Sequence, residues 1–124
     1  MAGMYSRVAF LCALLGCGEP AAVDAGDFTF AVEPESPLVV GRNALIIEVS
    51  GADGRPVDAA DVVIDTEMPA HGHGSTEAAI VADLGDGRYR AYPVTLFMPG
   101  HWIIGIHAEA GEAQGDFTLE ADVR

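Results

Sequence analysis

The chain has 124 residues and a formal net charge of −13, since 19 acidic residues outweigh six arginines and lysine is absent. This length suits one small domain, and so acidic a surface argues against binding to nucleic acid because phosphates would be repelled. Half of the residues are hydrophobic, which argues against a disordered chain. Fifteen glycines and seven prolines suit many short strands joined by turns.

The N-terminus has the three parts of a bacterial export signal. Arg7 precedes an apolar run from Val8 to Leu15, which is too short for a permanent membrane span. Leu14-Leu15-Gly16-Cys17 resembles a lipobox, in which the cysteine is lipidated. We therefore predict a signal peptide over residues 1–16, a lipidated Cys17 and tether over 17–27, and attachment to a lipid bilayer on the periplasmic face of the envelope. The alternative is an ordinary secretory signal that leaves Cys17 free.

The remaining residues, 28–124, alternate between apolar and polar positions with the period of a β-strand. No segment has a convincing helical period. The apolar positions that share a parity are Phe28, Phe30 and Val32; Leu45, Ile47 and Val49; Ile80, Ala82 and Leu84; Val94, Leu96 and Met98; Trp102, Ile104 and Ile106; and Phe117, Leu119, Ala121 and Val123. A further strand is expected at Val62–Asp65.

Turn signals separate these strands. Asp86-Gly87 lies between two alternating runs, which is a strong hairpin signal, so residues from Tyr89 onward should pair with the strand at Ile80–Leu84. About seven short strands at this spacing predict an all-β protein, an antiparallel sandwich that is immunoglobulin-like in architecture. The Cys…Trp…Cys signature of true immunoglobulin domains is absent from the sequence.

Two segments share the pattern Met-Pro-x-His. They are Met68-Pro69-Ala70-His71-Gly72-His73-Gly74 and Met98-Pro99-Gly100-His101. Each Met-Pro predicts a strand that ends in a turn, because proline restricts the residue before it to extended conformations. If the chain stays extended after Pro69, His71 and His73 point to the same side. Thioether and imidazole groups select copper, thioether especially Cu(I).

The first of these segments, Met-Pro-x-His-Gly-His-Gly, is followed by Asp86-Gly87-x-Tyr89 and then by Phe97-Met98-Pro99-Gly100-x-Trp102. Together the three motifs resemble the YtkA-like/FixH-like domain family over roughly residues 38–123. The resemblance implies a small exported or membrane-anchored bacterial sandwich, with Met68, His71, His73 and Met98 at the motif positions. It also implies, through the FixH branch, a link to copper handling and to the assembly of haem-copper oxidases. FixH proteins carry a transmembrane anchor, whereas this chain is expected to use a lipid.

Two functions remain open at this point. In the first, Met68, His71, His73 and Met98 converge on a copper ion, with His101 as a substitute ligand, and the protein passes copper to a copper-handling or oxidase-assembly partner. In the second, the methionines fill the core, the histidine loop is exposed, and the domain is a metal-free interaction module. His107 is expected to be a solvated strand residue beside Glu109. The sequence contains no nucleophile–histidine set, so we expect no enzyme.

Overall fold

Two antiparallel sheets make up the computed structural model, which describes residues 22–124. Within this range the strands are β1 (Val23–Ala25), β2 (Phe28–Pro34), β3 (Gly41–Gly51), β4 (Asp61–Glu67), β5 (Ile80–Gly85), β6 (Arg88–Leu96), β7 (Gly100–Ala110) and β8 (Ala113–Val123). The order is β1-β2-β3-β6-β5 in the five-stranded sheet and β4-β7-β8 in the three-stranded sheet. The predicted all-β sandwich is confirmed. In the described residues, no helix is long and apolar enough to cross a membrane.

The folded part begins earlier than expected. β1 lies inside the segment 17–27 that we predict to be a tether, and it pairs with β2 from Val23↔Phe30 to Ala25↔Phe28. The amide of Asp27 donates to the carbonyl of Gln114 at 2.9 Å, which joins this edge to β8. A strand of three residues is too short to show alternation, so the sequence pattern could not reveal it. The predicted signal peptide and Cys17 lie outside the described residues.

The core lies between the inner faces of the two sheets. Leu45, Ile47 and Val49 of β3 and Trp102 and its buried neighbours on β7 belong to this core, and these residues are almost completely buried. The predicted parity of β3 and β7 is therefore correct. Large aromatic side chains contribute most to such a core because each buries about 150–250 Å² of surface.

The β5–β6 hairpin forms as predicted. Its register runs from Ile80↔Tyr92 to Asp83↔Tyr89, and the two turn residues Asp86 and Gly87 have φ values of 56° and 72°. Two consecutive positive φ values are the mark of a type I′ turn, whose twist matches that of the flanking strands. β5 is an edge strand, and its predicted apolar set faces outward, with Ile80 74% exposed.

Three loops and the end of β8 meet at one end of the sandwich, which we call the loop end. β4 finishes at Glu67, opposite Ile103 near the start of β7, and β6 finishes at Leu96, opposite Gly41. The loops after β2, β4 and β6 therefore lie together. Both Met-Pro-x-His segments belong to this end.

Candidate metal-binding site

Met68 connects the two Met-Pro-x-His segments. It follows β4 directly and is 1% exposed, and its methyl group packs against Gly100 in the other segment. Gly100 has a φ of 139°, and a Cβ there would overlap the Met68 methyl group. The absence of a side chain at Gly100 thus lets the methionine enter the core.

The backbone of residues 68–74 forms a turn rather than an extended chain. The amides of His71 and Gly72 each donate to the Met68 carbonyl at 3.0 Å, and the Met68 amide donates to the His73 carbonyl at 2.7 Å. Gly72 adopts a left-handed φ of 66°. The condition of an extended segment after Pro69 is therefore not met, because hydrogen bonds to Met68 and the freedom of Gly72 favour the turn.

The two histidines nevertheless lie side by side. Their rings are stacked with centroids 5.5 Å apart and planes inclined by 30°, and both side chains are exposed. The ring of His73 also stacks on Phe97, with centroids 5.4 Å apart and planes inclined by 25°. The rings of Phe97 and Trp102 meet edge to face, with centroids 5.2 Å apart and planes inclined by 80°. Four rings thus run from the exposed His71 to the buried Trp102.

Met98 is the first residue of the second segment. Its side chain is half-buried and packs against the core, as its shared parity with Val94 and Leu96 allows. Its carbonyl accepts a hydrogen bond from the Trp102 indole Nε1 at 3.0 Å, which fixes the backbone of this loop. The loop end therefore brings together Met68, the histidine pair and the segment that carries Met98.

His101 is placed differently from the other predicted ligands. It lies on the outer face of β7, opposite in parity to the buried Trp102. Its Nδ1 lies 2.8 Å from Asp122 Oδ1 and its Nε2 lies 2.9 Å from Glu120 Oε1. These hydrogen bonds, first to Asp122 and then to Glu120, raise the pKa of His101 because they favour the charged imidazolium.

His107 repeats this arrangement six residues further along β7. Its Nε2 lies 2.8 Å from Glu109 and its Nδ1 lies 2.7 Å from Asp116. Glu109 first and then Asp116 raise the pKa of His107 by hydrogen bonding to its charged form. The predicted proximity of His107 to Glu109 is confirmed.

The donors at the loop end fit copper better than zinc. Within residues 22–124, no three His, Cys, Asp or Glu side chains group in a way that would hold a metal ion. Thioether sulfur, which Met68 and Met98 supply at the loop end, is a ligand that zinc sites in proteins rarely use. Because a metal–imidazole bond is about 2 Å long, two imidazoles sharing one ion have ring centres roughly 5–6 Å apart. The observed separation of 5.5 Å is between stacked rings, so joint binding also requires their in-plane nitrogens to turn toward one ion.

Sequence reasoning does not identify Phe97 and Trp102 as part of this site. Both belong to the Phe97-Met98-Pro99-Gly100-x-Trp102 motif, which serves only to mark the resemblance. Alternation places Trp102 on a strand face, and its burial agrees with that. The contact of Phe97 with His73 joins residues 24 positions apart, which no periodic pattern reveals.

A family model described as YtkA-like matches residues 22–107. The chain belongs to the YtkA-like family. The match begins and ends earlier in the chain than the resemblance read from the sequence, which covered roughly residues 38–123. The link to FixH proteins stays a prediction. No curated protein sequence matches the chain significantly.

Two solved structures share the fold, and both are of FetP from uropathogenic Escherichia coli strain F11. A copper-bound variant of FetP has a TM-score of 0.58 and 9% identity, covering 84% of this chain and 94% of that one. FetP as isolated, after recombinant expression in the periplasm, has a TM-score of 0.56 and 11% identity, covering 84% and 93%. At 9% and 11% identity, the similarity to FetP shows a shared fold and nothing further.

Proposed function

We propose that this protein is an exported copper carrier that holds Cu(I) at its loop end through His71, His73 and the thioethers of Met68 and Met98. One observation carries the proposal: residues 68–74 fold so that two exposed imidazoles stack 5.5 Å apart directly beside the segment that contains Met98. His101 is left out of the proposed set because its two ring nitrogens already contact Asp122 and Glu120 on the outer face.

The chemistry of the donors supports Cu(I) as the cargo. Imidazole binds several metals, whereas thioether sulfur favours the soft Cu(I) ion over Zn(II). Met68 and Met98 are the two methionines in residues 22–124, and both lie at the loop end. The copper-bound state of the structurally similar FetP also supports copper.

A carrier role suits the exposure of the histidines. His71 and His73 lie at the surface, where a partner protein can reach a bound ion, while Met68 is buried. We propose that the protein receives copper in the periplasm, anchored to the bilayer through Cys17, and passes it to a copper-handling or oxidase-assembly protein. Export is supported by the signal-like N-terminal sequence and by the periplasmic expression of FetP.

The test is a Cu(I) titration of the purified protein against a competing chelator under reducing, anaerobic conditions, with Zn(II) measured in parallel. Loss of an outer-shell partner alone weakens metal affinity by about 10- to 100-fold, so His71→Ala or His73→Ala should weaken it at least as much. Met68→Leu and Met98→Leu should have smaller effects, since leucine keeps the volume and removes the sulfur.

His107→Ala is the matched control, because it removes an imidazole from the outer face of β7 and should leave Cu(I) affinity unchanged. If the His71/His73 double variant binds Cu(I) as tightly as the wild type, the copper proposal is wrong. A wild-type protein that binds neither metal would favour the metal-free interaction module instead.

A further inference from the structure

Phe97 occupies an unusual position for a phenylalanine. It is the first residue after β6 and remains 45% exposed, although the core lies immediately below it. Its ring stacks on His73, and its other aromatic contact is an edge-to-face one with Trp102. Burial alone does not account for this placement, because a phenylalanine gains most by entering the core completely.

Trp102 gives Phe97 a fixed support. The indole is fully buried, and its Nε1 donates a hydrogen bond to the Met98 carbonyl at 3.0 Å. Edge-to-face contact with such an anchored ring is a favoured aromatic geometry and restricts the Phe97 ring. Because the Phe97 ring also stacks on His73, it restricts the orientation of this exposed imidazole as well.

The stacking contact with Phe97 does not occupy the ring nitrogens of His73. The lone pair and the N–H of an imidazole lie in the plane of the ring, whereas stacking uses the faces. Phe97 can therefore hold the ring without competing for its nitrogens, unlike the carboxylates that engage both nitrogens of His101. In residues 22–124, the aromatic neighbours of the His73 ring are His71 and Phe97.

We infer that Phe97 is a positioning residue that orients the His73 imidazole for ion binding at the loop end. The copper part of this inference rests on the proposed function. Holding a side chain in its binding orientation avoids the loss of rotamer freedom when a ligand arrives. Phe97→Leu keeps an apolar side chain but removes the aromatic face, and Phe97→Tyr keeps the face.

The first measurement needs no metal. In the NMR spectrum of the metal-free protein, the Hδ2 and Hε1 resonances of His73 should shift in Phe97→Leu, because the ring current of Phe97 is lost, and should stay close to wild type in Phe97→Tyr. Tyr92→Leu is the matched control: Tyr92 is 42% exposed and stacks with Arg90 on β6, so its loss should leave the His73 resonances in place.

The second measurement is Cu(I) affinity by chelator competition. Phe97→Leu should weaken binding by about 3- to 10-fold, the range expected for freeing one side chain, while Phe97→Tyr and Tyr92→Leu bind like the wild type. Unchanged His73 resonances in Phe97→Leu would overturn the inference, as would an equal loss of affinity in Phe97→Tyr. If the wild type binds no copper, the proposed function fails, and the resonances still decide whether the Phe97 ring packs on His73 in solution.

Discussion

Replacing Gly74 by alanine should uncouple the histidine loop from β4. A Cβ at Gly74 would overlap the carbonyl oxygen of Thr66, which belongs to the backbone of β4 and cannot move aside without breaking the strand. The loop must shift instead. The hydrogen bonds at risk are Met68 N to His73 O, at 2.7 Å, and Ser75 N to Thr66 Oγ1, at 3.0 Å.

The size of the effect follows from these two bonds. Each contributes about 0.5–1.5 kcal/mol to the free energy of unfolding, so Gly74→Ala should cost about 2 kcal/mol. For a domain of this size, that corresponds to a fall in Tm of about 10 °C. Thermal unfolding followed by far-UV circular dichroism measures it.

Gly72→Ala is the matched control within the same loop. Gly72 has a left-handed φ of 66°, but a Cβ there would meet nothing within 4 Å, so the added methyl group points into open space. Its cost is conformational only, about 1 kcal/mol, and Gly72→Asn should cost less because asparagine tolerates this region. The reasoning is refuted if Gly74→Ala lowers Tm no more than Gly72→Ala.

Three further outcomes are expected. Gly87→Val should lower the free energy of unfolding by about 2 kcal/mol or more, because Gly87 has a φ of 72° and a Cβ there would lie 2.6 Å from the Val49 carbonyl oxygen; an unchanged urea midpoint would contradict this. Cys17→Ser should abolish fatty-acid labelling and release the protein from membranes, and an unchanged membrane-bound fraction would mean a different anchor. Because the folded-state pKa of His107 is raised, its carboxylate contacts stabilise the fold at low pH and lose that effect as pH rises through the folded pKa. The Tm difference between wild type and His107→Gln should therefore shrink from about pH 6 to about pH 9, and a constant difference would contradict it.

The fold is predictable where alternation is strong. In β3 and β7, buried residues recur at every second position, so the parity of their apolar residues is enough to identify the inner face. β5 shows the limit of this reasoning. Its apolar positions alternate as clearly, yet Ile80 faces solvent, because an edge strand buries little on either face and the sequence does not mark it as an edge.

The candidate site is predictable only in part. The motif spacing singles out Met68, His71 and His73, but the loop conformation that pairs the histidines depends on Gly72 adopting a left-handed φ. The sequence allows that conformation without requiring it. The role of Phe97 depends on a contact between loops that follow different strands, and the direction of a ring at a loop is set by tertiary packing.

Three contacts between protein groups hold the histidine loop. Met68 packs against Gly100, its amide bonds to His73, and Phe97 stacks on the His73 ring. An ion that binds here therefore does not have to supply the free energy for ordering the loop, which distinguishes this site from small domains that fold only around their metal. It follows that copper affinity can change without a change in stability. Removing the imidazoles of His71 and His73 should weaken copper binding with little effect on Tm. Gly74→Ala, in contrast, should lower both the copper affinity and the Tm.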